Sequence, residues 1–211
     1  MNPWTDHARR LAPALLALAL VGCGLLDKRD APVKDSADAV TEPAPDLGDP
    51  KARFEAALLL FKRNQLPAAE KAFIELERDF PEYAGPAINL GLLYLRREQH
   101  TQAIGAFSRA ESRTPNNPVI HNGLGVVYQQ TEQLDRAEDA WRRAIELDPG
   151  YAAPRLNLGM LLEASGRAVD ALPHYRRYLE LVDDEELRVQ AWIAAIEART
   201  ARPAETLEGT P

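Results

Sequence analysis

The sequence predicts an all-α fold, a solenoid of four helix pairs closed by one further helix at its C-terminal end. Three observations carry this. Gly91, Gly125 and Gly159 lie 34 residues apart, each preceded by leucine (Leu90, Leu124, Leu158) and followed three residues on by Tyr94, Tyr128 or Leu162. Ala103, Phe107, Ala110 and Pro115 return one period later as Ala137, Trp141, Ala144 and Pro149. Weaker copies fall on the same grid. Ala69, Phe73 and Pro81 stand before, with Ala57 in the glycine's place and Leu76 in the second alanine's. Ala171, Tyr175 and Tyr178 stand after, with Asp183 where the closing proline would be. A fixed period of this size is the mark of stacked units, here 50–83, 84–117, 118–151 and 152–185.

The chain begins with Arg9 and Arg10 ahead of an apolar run from Leu11 to Val21, the layout of a secretory signal over residues 1–22. A run of that length is too short to span a bilayer core, which takes about 20 residues. At its end Leu20-Val21-Gly22-Cys23 resembles the lipobox of bacterial lipoproteins, which implies cleavage before Cys23 and acylation of its thiol and new amino group. Cys23 is the only cysteine, so no intramolecular disulfide exists for it to join. Acyl chains at about 0.8 kcal/mol per buried CH₂ would hold the protein firmly on a membrane. Gly24 rather than aspartate follows the cysteine, which by the same resemblance favours the outer membrane, facing the periplasm. Residues 23–49 carry Pro32, Pro43 and Pro45, an acidic excess and no aromatic residue, and predict a disordered tether.

Within the units, small residues at the Gly91, Gly125 and Gly159 positions let two antiparallel helices approach, with Ala103, Ala137 and Ala171 doing the same from the partner face. Leu90, Tyr94, Phe107 and their equivalents fill the space on either side. No unit buries this face alone, so stacking supplies the core. Asp49-Pro50 and Asn117-Pro118 each place a cap acceptor before a proline at a first helical position. Pro67 opens another helix, Pro173 lies a turn inside one, and Asn122-Gly123, a hairpin signal elsewhere, falls in helical register. After the fourth unit, Val189, Trp192, Ile193 and Ile196 mark one apolar face of a capping helix over 184–200. The alternative is a homodimer contact through Trp192. Residues 201–211 predict a disordered tail.

The pattern L-G-x-x-Y, then A-x-x-x-aromatic-x-x-A, closing on proline, resembles the tetratricopeptide repeat family. That resemblance implies a right-handed superhelix whose first helices line a concave groove for protein or peptide ligands. The family's ligand-facing positions fall here on Phe54, Leu58 and Phe61, then Ile88, Leu92, Leu95 and Arg96. In the third and fourth units they fall on Asn122, Val126, Gln129 and Gln130, then Leu156, Met160 and Glu163. The groove is mostly apolar and lacks the repeated Lys and Arg with which some family members clamp a C-terminal carboxylate. An amphipathic helix or an apolar extended segment is the expected ligand. The tail, the tether or a second copy are the alternative occupants.

Charge and catalytic motifs narrow the function. The full chain carries −7, and without the signal it carries 23 basic against 31 acidic groups, which argues against nucleic acid. His100, His121 and His174 have no partner at metal-ligand spacing, and no nucleophile elbow or phosphate loop occurs, so neither a metal nor another cofactor nor an enzymatic activity is expected. Arg136-Ala137-Glu138 and Arg176-Arg177 read as solvated helix faces. The expected function is a non-enzymatic, membrane-tethered interaction scaffold in the cell envelope, resembling the pilus tetratricopeptide lipoproteins thought to assist secretin assembly. The alternative is a dimeric scaffold regulating peptidoglycan hydrolases.

Overall fold

A computed structural model of the chain describes residues 48–182 and 186–201. The signal segment, Cys23, nearly all of the tether and the tail beyond Ala201 lie outside them. The described residues form nine α-helices in chain order and contain no strand. These are α1 (Pro50–Lys62), α2 (Leu66–Asp79), α3 (Ala84–Arg96), α4 (His100–Arg113), α5 (Pro118–Gln130), α6 (Leu134–Leu147), α7 (Ala152–Ala164), α8 (Ala168–Val182) and α9 (Leu187–Ala201). The helices pack in four pairs, α1 with α2 through α7 with α8, and each second helix then meets the first helix of the next pair.

Local chemistry starts and stops these helices. Asp49 accepts from the backbone N–H groups of Lys51 and Ala52, and Asn117 accepts from Val119 at 3.0 Å. Both caps sit just before a proline whose missing N–H is unpartnered in any helix start. Pro67 occupies the first turn of α2. Asn122 and Gly123 lie inside α5, and Pro173 inside α8, as the register required.

Each first helix ends in the same turn. Asn64, Glu98 and Glu132 take φ of 61°, 57° and 59°, and Gly166 takes 79°, always at the fifteenth place of the unit. The following N–H reaches back to a carbonyl in the last helical turn: Gln65 to Leu60, Gln99 to Tyr94, Gln133 to Tyr128, Arg167 to Leu162. This left-handed closure satisfies carbonyls that the helix end would otherwise orphan.

The glycines work as their spacing suggests, and the element they admit is an aromatic ring. A Cβ built on Gly91 would come within 2.6 Å of Phe107, on Gly125 within 2.5 Å of Trp141, and on Gly159 within 2.7 Å of Tyr175. All three rings belong to the second helix of the same pair and are buried. Gly123, which the periodicity did not single out, meets Phe107 from the next unit, so that ring lies between glycines of two successive pairs. Ala103, Ala137 and Ala171 are also buried.

The last helix covers the stack. Val189 and Ile196 are buried, Trp192 and Ile193 pack against the core, and the Trp192 ring stands 5.6 Å from Tyr175. Trp192 therefore faces its own chain. Among the described residues, α9 begins at Leu187, later than the 184 expected, and runs through Ala201. No helix of the described residues is long and apolar enough to cross a membrane.

Candidate functional site

The first helices α1, α3, α5 and α7 carry the residues expected to face a ligand. Because neighbouring first helices touch directly from α3 to α5 and from α5 to α7, their inward side chains close on one another. Leu92, Leu95, Val126, Leu156 and Met160 are buried in the apolar core, and Phe61 with them. Phe54, Leu58, Ile88, Gln129, Gln130 and Glu163 are half-buried, and Arg96 is exposed. The expected groove is thus largely shut toward its C-terminal end. Its accessible apolar part is a lip over the first two pairs, at Phe54, Leu58 and Ile88, and the half-buried residues farther on, Gln129, Gln130 and Glu163, are polar.

That lip combines apolar and cationic groups. Phe54 belongs to an aromatic cluster, 5.9 Å from Phe73 and 5.1 Å from Tyr83. The Arg96 guanidinium lies 5.9 Å over the Phe61 ring, tying the end of α3 to the end of α1. Lys62 and Arg63, at the same end of α1, are exposed. The buried asparagines of the first helices are occupied within the protein instead. Asn157 donates to Asn122 at 3.2 Å, Asn122 donates to the Tyr151 hydroxyl at 3.1 Å, and Asn89 donates to the Gly85 carbonyl at 2.9 Å. Asn122 is a buried strut between α5 and α7. Glu163 also has a structural partner, accepting from the Tyr175 hydroxyl at 3.0 Å and standing 3.5 Å from Arg199. Burial, with Glu163 beside it, pushes the Tyr175 phenol far above its ordinary range.

The outer face is held by charge pairs that run between helices as well as along them. Glu77 of α2 accepts from Arg109 at 2.9 Å and from Arg113 at 2.8 Å, both on α4. Glu138 of α6 joins Arg142 on its own helix and Arg167 at the start of α8. Burial alone would raise both glutamates, but the guanidinium hydrogen bonds outweigh it and hold each carboxyl below its usual value. Arg176 reaches Glu197 of α9 at 2.6 Å. Glu138 and Arg176, expected on solvated faces, thus have partners on neighbouring elements, Arg167 and Glu197. Arg136 packs 4.0 Å over the Tyr128 ring and donates to its hydroxyl.

The histidines are dispersed. His100 Nε2 lies 3.0 Å from Gln130 Oε1, and His121 Nε2 lies 3.0 Å from the Pro115 carbonyl oxygen. His174 is half-buried, with its pKa lowered by burial and by the cations of Arg142 and Arg155. Among the described residues no group of three His, Cys, Asp or Glu is placed to hold a metal.

A family model described as "Tetratricopeptide repeat" matches residues 54–118 and 122–186. No curated protein matches. Among solved structures, a thermophilic TPR protein of Thermus thermophilus is 24% identical, with 71% of this chain and 82% of that one covered at a TM-score of 0.61. PilF of Pseudomonas aeruginosa is 16% identical, with 72% of this chain and 68% of that one covered at a TM-score of 0.65. YrrB, described as a TPR protein with an unusual peptide-binding site, is 23% identical, with 76% and 82% covered at a TM-score of 0.58. At these identities the likeness establishes the fold.

Proposed function

The chain belongs to the tetratricopeptide repeat family, and from that premise we propose that it is a non-enzymatic scaffold that holds a protein partner on the inward side of its first helices. The observation that carries this is the apolar row of α1 and α3, which stays open at Phe54, Leu58 and Ile88 while the same row in later pairs is closed. Members of such a fold act by presenting a shaped surface, and an apolar lip on a rigid helix stack suits a partner's apolar segment.

The finer reading places this scaffold in a bacterial envelope, tethered through acylated Cys23 and facing the periplasm from the outer membrane. Its support is the sequence Leu20-Val21-Gly22-Cys23 after an apolar run. A role in assembling a pilus or secretin is the variant we favour over a scaffold for wall hydrolases. The fold likeness to PilF accompanies it, and Trp192, the residue offered for a dimer contact, is used within the chain.

Photo-crosslinkers at Leu58 and Ile88 in cells test the scaffold reading. They are expected to capture one envelope protein that probes at buried Leu92 and Val126 miss. Equal capture from all four positions, or capture of nothing but lipid and the chain itself, overturns it. Cys23→Ala is expected to leave the protein unprocessed or out of the membrane fraction. Ordinary membrane fractionation of that variant would rule out the anchor.

A further inference from the structure

We propose that the lip over the first two helix pairs takes an amphipathic helix with an acidic flank, its apolar side on Phe54, Leu58 and Ile88 and its carboxylates toward Lys62, Arg63 and Arg96. This rests on the scaffold reading above and specifies the ligand.

Charge complementarity is the first ground. Among the described residues most arginines are matched by a carboxylate, for example Arg53 with Asp79, Arg97 with Glu70, Arg109 and Arg113 with Glu77, Arg142 and Arg167 with Glu138. Lys62, Arg63 and Arg96 make no ion pair among the described residues, and all three are exposed on neighbouring helix ends. The cation–π contact from Arg96 to Phe61 brings the ends of α1 and α3 together. On a chain of net charge −7 this is a local cationic patch against the overall sign. It steers an acidic ligand and repels a basic one.

The second ground is backbone satisfaction. An extended peptide would need side-chain or edge-strand partners for its N–H and C=O groups. The ligand-facing amide of Asn122 donates to the Tyr151 hydroxyl, and the described residues contain no strand edge. A helix brings its own backbone hydrogen bonds and asks of the lip only apolar contact and cations.

Three fluorescein-labelled peptides of about 18 residues test this against the full chain by anisotropy: one with a leucine face flanked by glutamates, one with lysines in their place, and one acidic peptide broken by a central proline. The acidic helix is expected to bind about tenfold or more tighter than the lysine peptide, on the scale of a few exposed ion pairs. The proline peptide is expected to lose binding. The triple variant Lys62→Glu/Arg63→Glu/Arg96→Glu should reverse the charge preference while staying folded, melting slightly below the wild type because it loses the Arg96–Phe61 contact and two cations in last helical turns.

Equal binding of both charges, or of the proline peptide, overturns the inference. If that indifferent binding is still abolished by Ile88→Asp, the scaffold reading survives. Binding of none of the peptides also overturns it, and deletion of residues 24–47 or sedimentation would then show whether the chain's own acidic segment or a second copy covers the lip. Absence of any captured protein at Leu58 and Ile88 removes the reading beneath it.

Discussion

The first helix pair and the three that follow occupy the same repeat positions with different consequences. At the tenth place Leu59 is 47% exposed, whereas Leu93 and Val127 are 0% and Leu161 3% exposed. At the seventh, Ala56 is exposed while Leu90, Leu124 and Leu158 are buried. At the sixth, Glu55 faces water where Asn89, Gly123 and Asn157 are enclosed. What encloses the later residues is the second helix of the preceding pair, and among the described residues the first pair has none. Burial in this molecule is conferred by a neighbour, and the first pair carries a small and a charged residue, Ala56 and Glu55, at places the later pairs enclose. Its own coherence comes from the Phe54, Phe61, Phe73 and Tyr83 rings, joined by contacts of 5.1–6.5 Å. The far end is different again, because α9 encloses it.

The widest test of this contrast is a matched pair of truncations. Leu93→Ala is expected to cost about 2–5 kcal/mol and Leu59→Ala no more than about 1 kcal/mol, by chemical denaturation. Equal losses would break the comparison. Glycines sharpen it at the next scale. Gly125→Leu drives a side chain into Trp141 and is expected to cost roughly 1–3 kcal/mol or more. Gly105, half-buried in the middle of α4 with only the Arg109 tip 3.8 Å from a built Cβ, should gain about 0.5–1 kcal/mol on replacement by alanine. A destabilised Gly105→Ala in a thermal melt would show that helix propensity is not what that site spends.

The turns offer a smaller contrast, since the terminal pairs carry Asn64 and Gly166 at the left-handed position and the internal pairs carry Glu98 and Glu132. Glu132→Gly should relieve that strain and stabilise by about 0.5–1 kcal/mol in a calorimetric scan. The smallest effect is pH-dependent. Glu77 fastens the first pair to the second, and its folded pKa lies below the ordinary 4.5. Its contribution is therefore full above the unfolded value and disappears as pH falls through the lower folded one. Glu77→Gln should be slightly less stable than wild type at pH 7, with the gap narrowing toward pH 3 in paired urea titrations.

Much of this was legible because the pattern is periodic. The 34-residue spacing of Gly91, Gly125 and Gly159 located the helix pairs, and Asp49-Pro50 and Asn117-Pro118 located two starts without reference to tertiary packing. Glu98 and Glu132 escaped notice because glutamate is a helix former with no preference for positive φ, and its turn is imposed by helices docking on either side. The candidate site was legible by position only. Repeat arithmetic put Leu92, Val126 and Met160 on the inward row, but whether a row stays open depends on how closely successive first helices approach, which no single unit encodes. The struts Asn122–Tyr151 and Glu163–Tyr175 were unreadable for the same reason, each joining residues from different elements.

Phe107 reaches beyond its own pair. Its ring is received by Gly91 in the second unit and by Gly123 in the third, whereas the fourth unit has Asn157 at the corresponding place. Excising residues 118–151 to splice the second unit onto the fourth would confront that ring with an amide side chain where it now meets bare backbone. The modules therefore carry an address, and a chain built from interchangeable parts has become one whose sequence of parts is no longer free to be reshuffled.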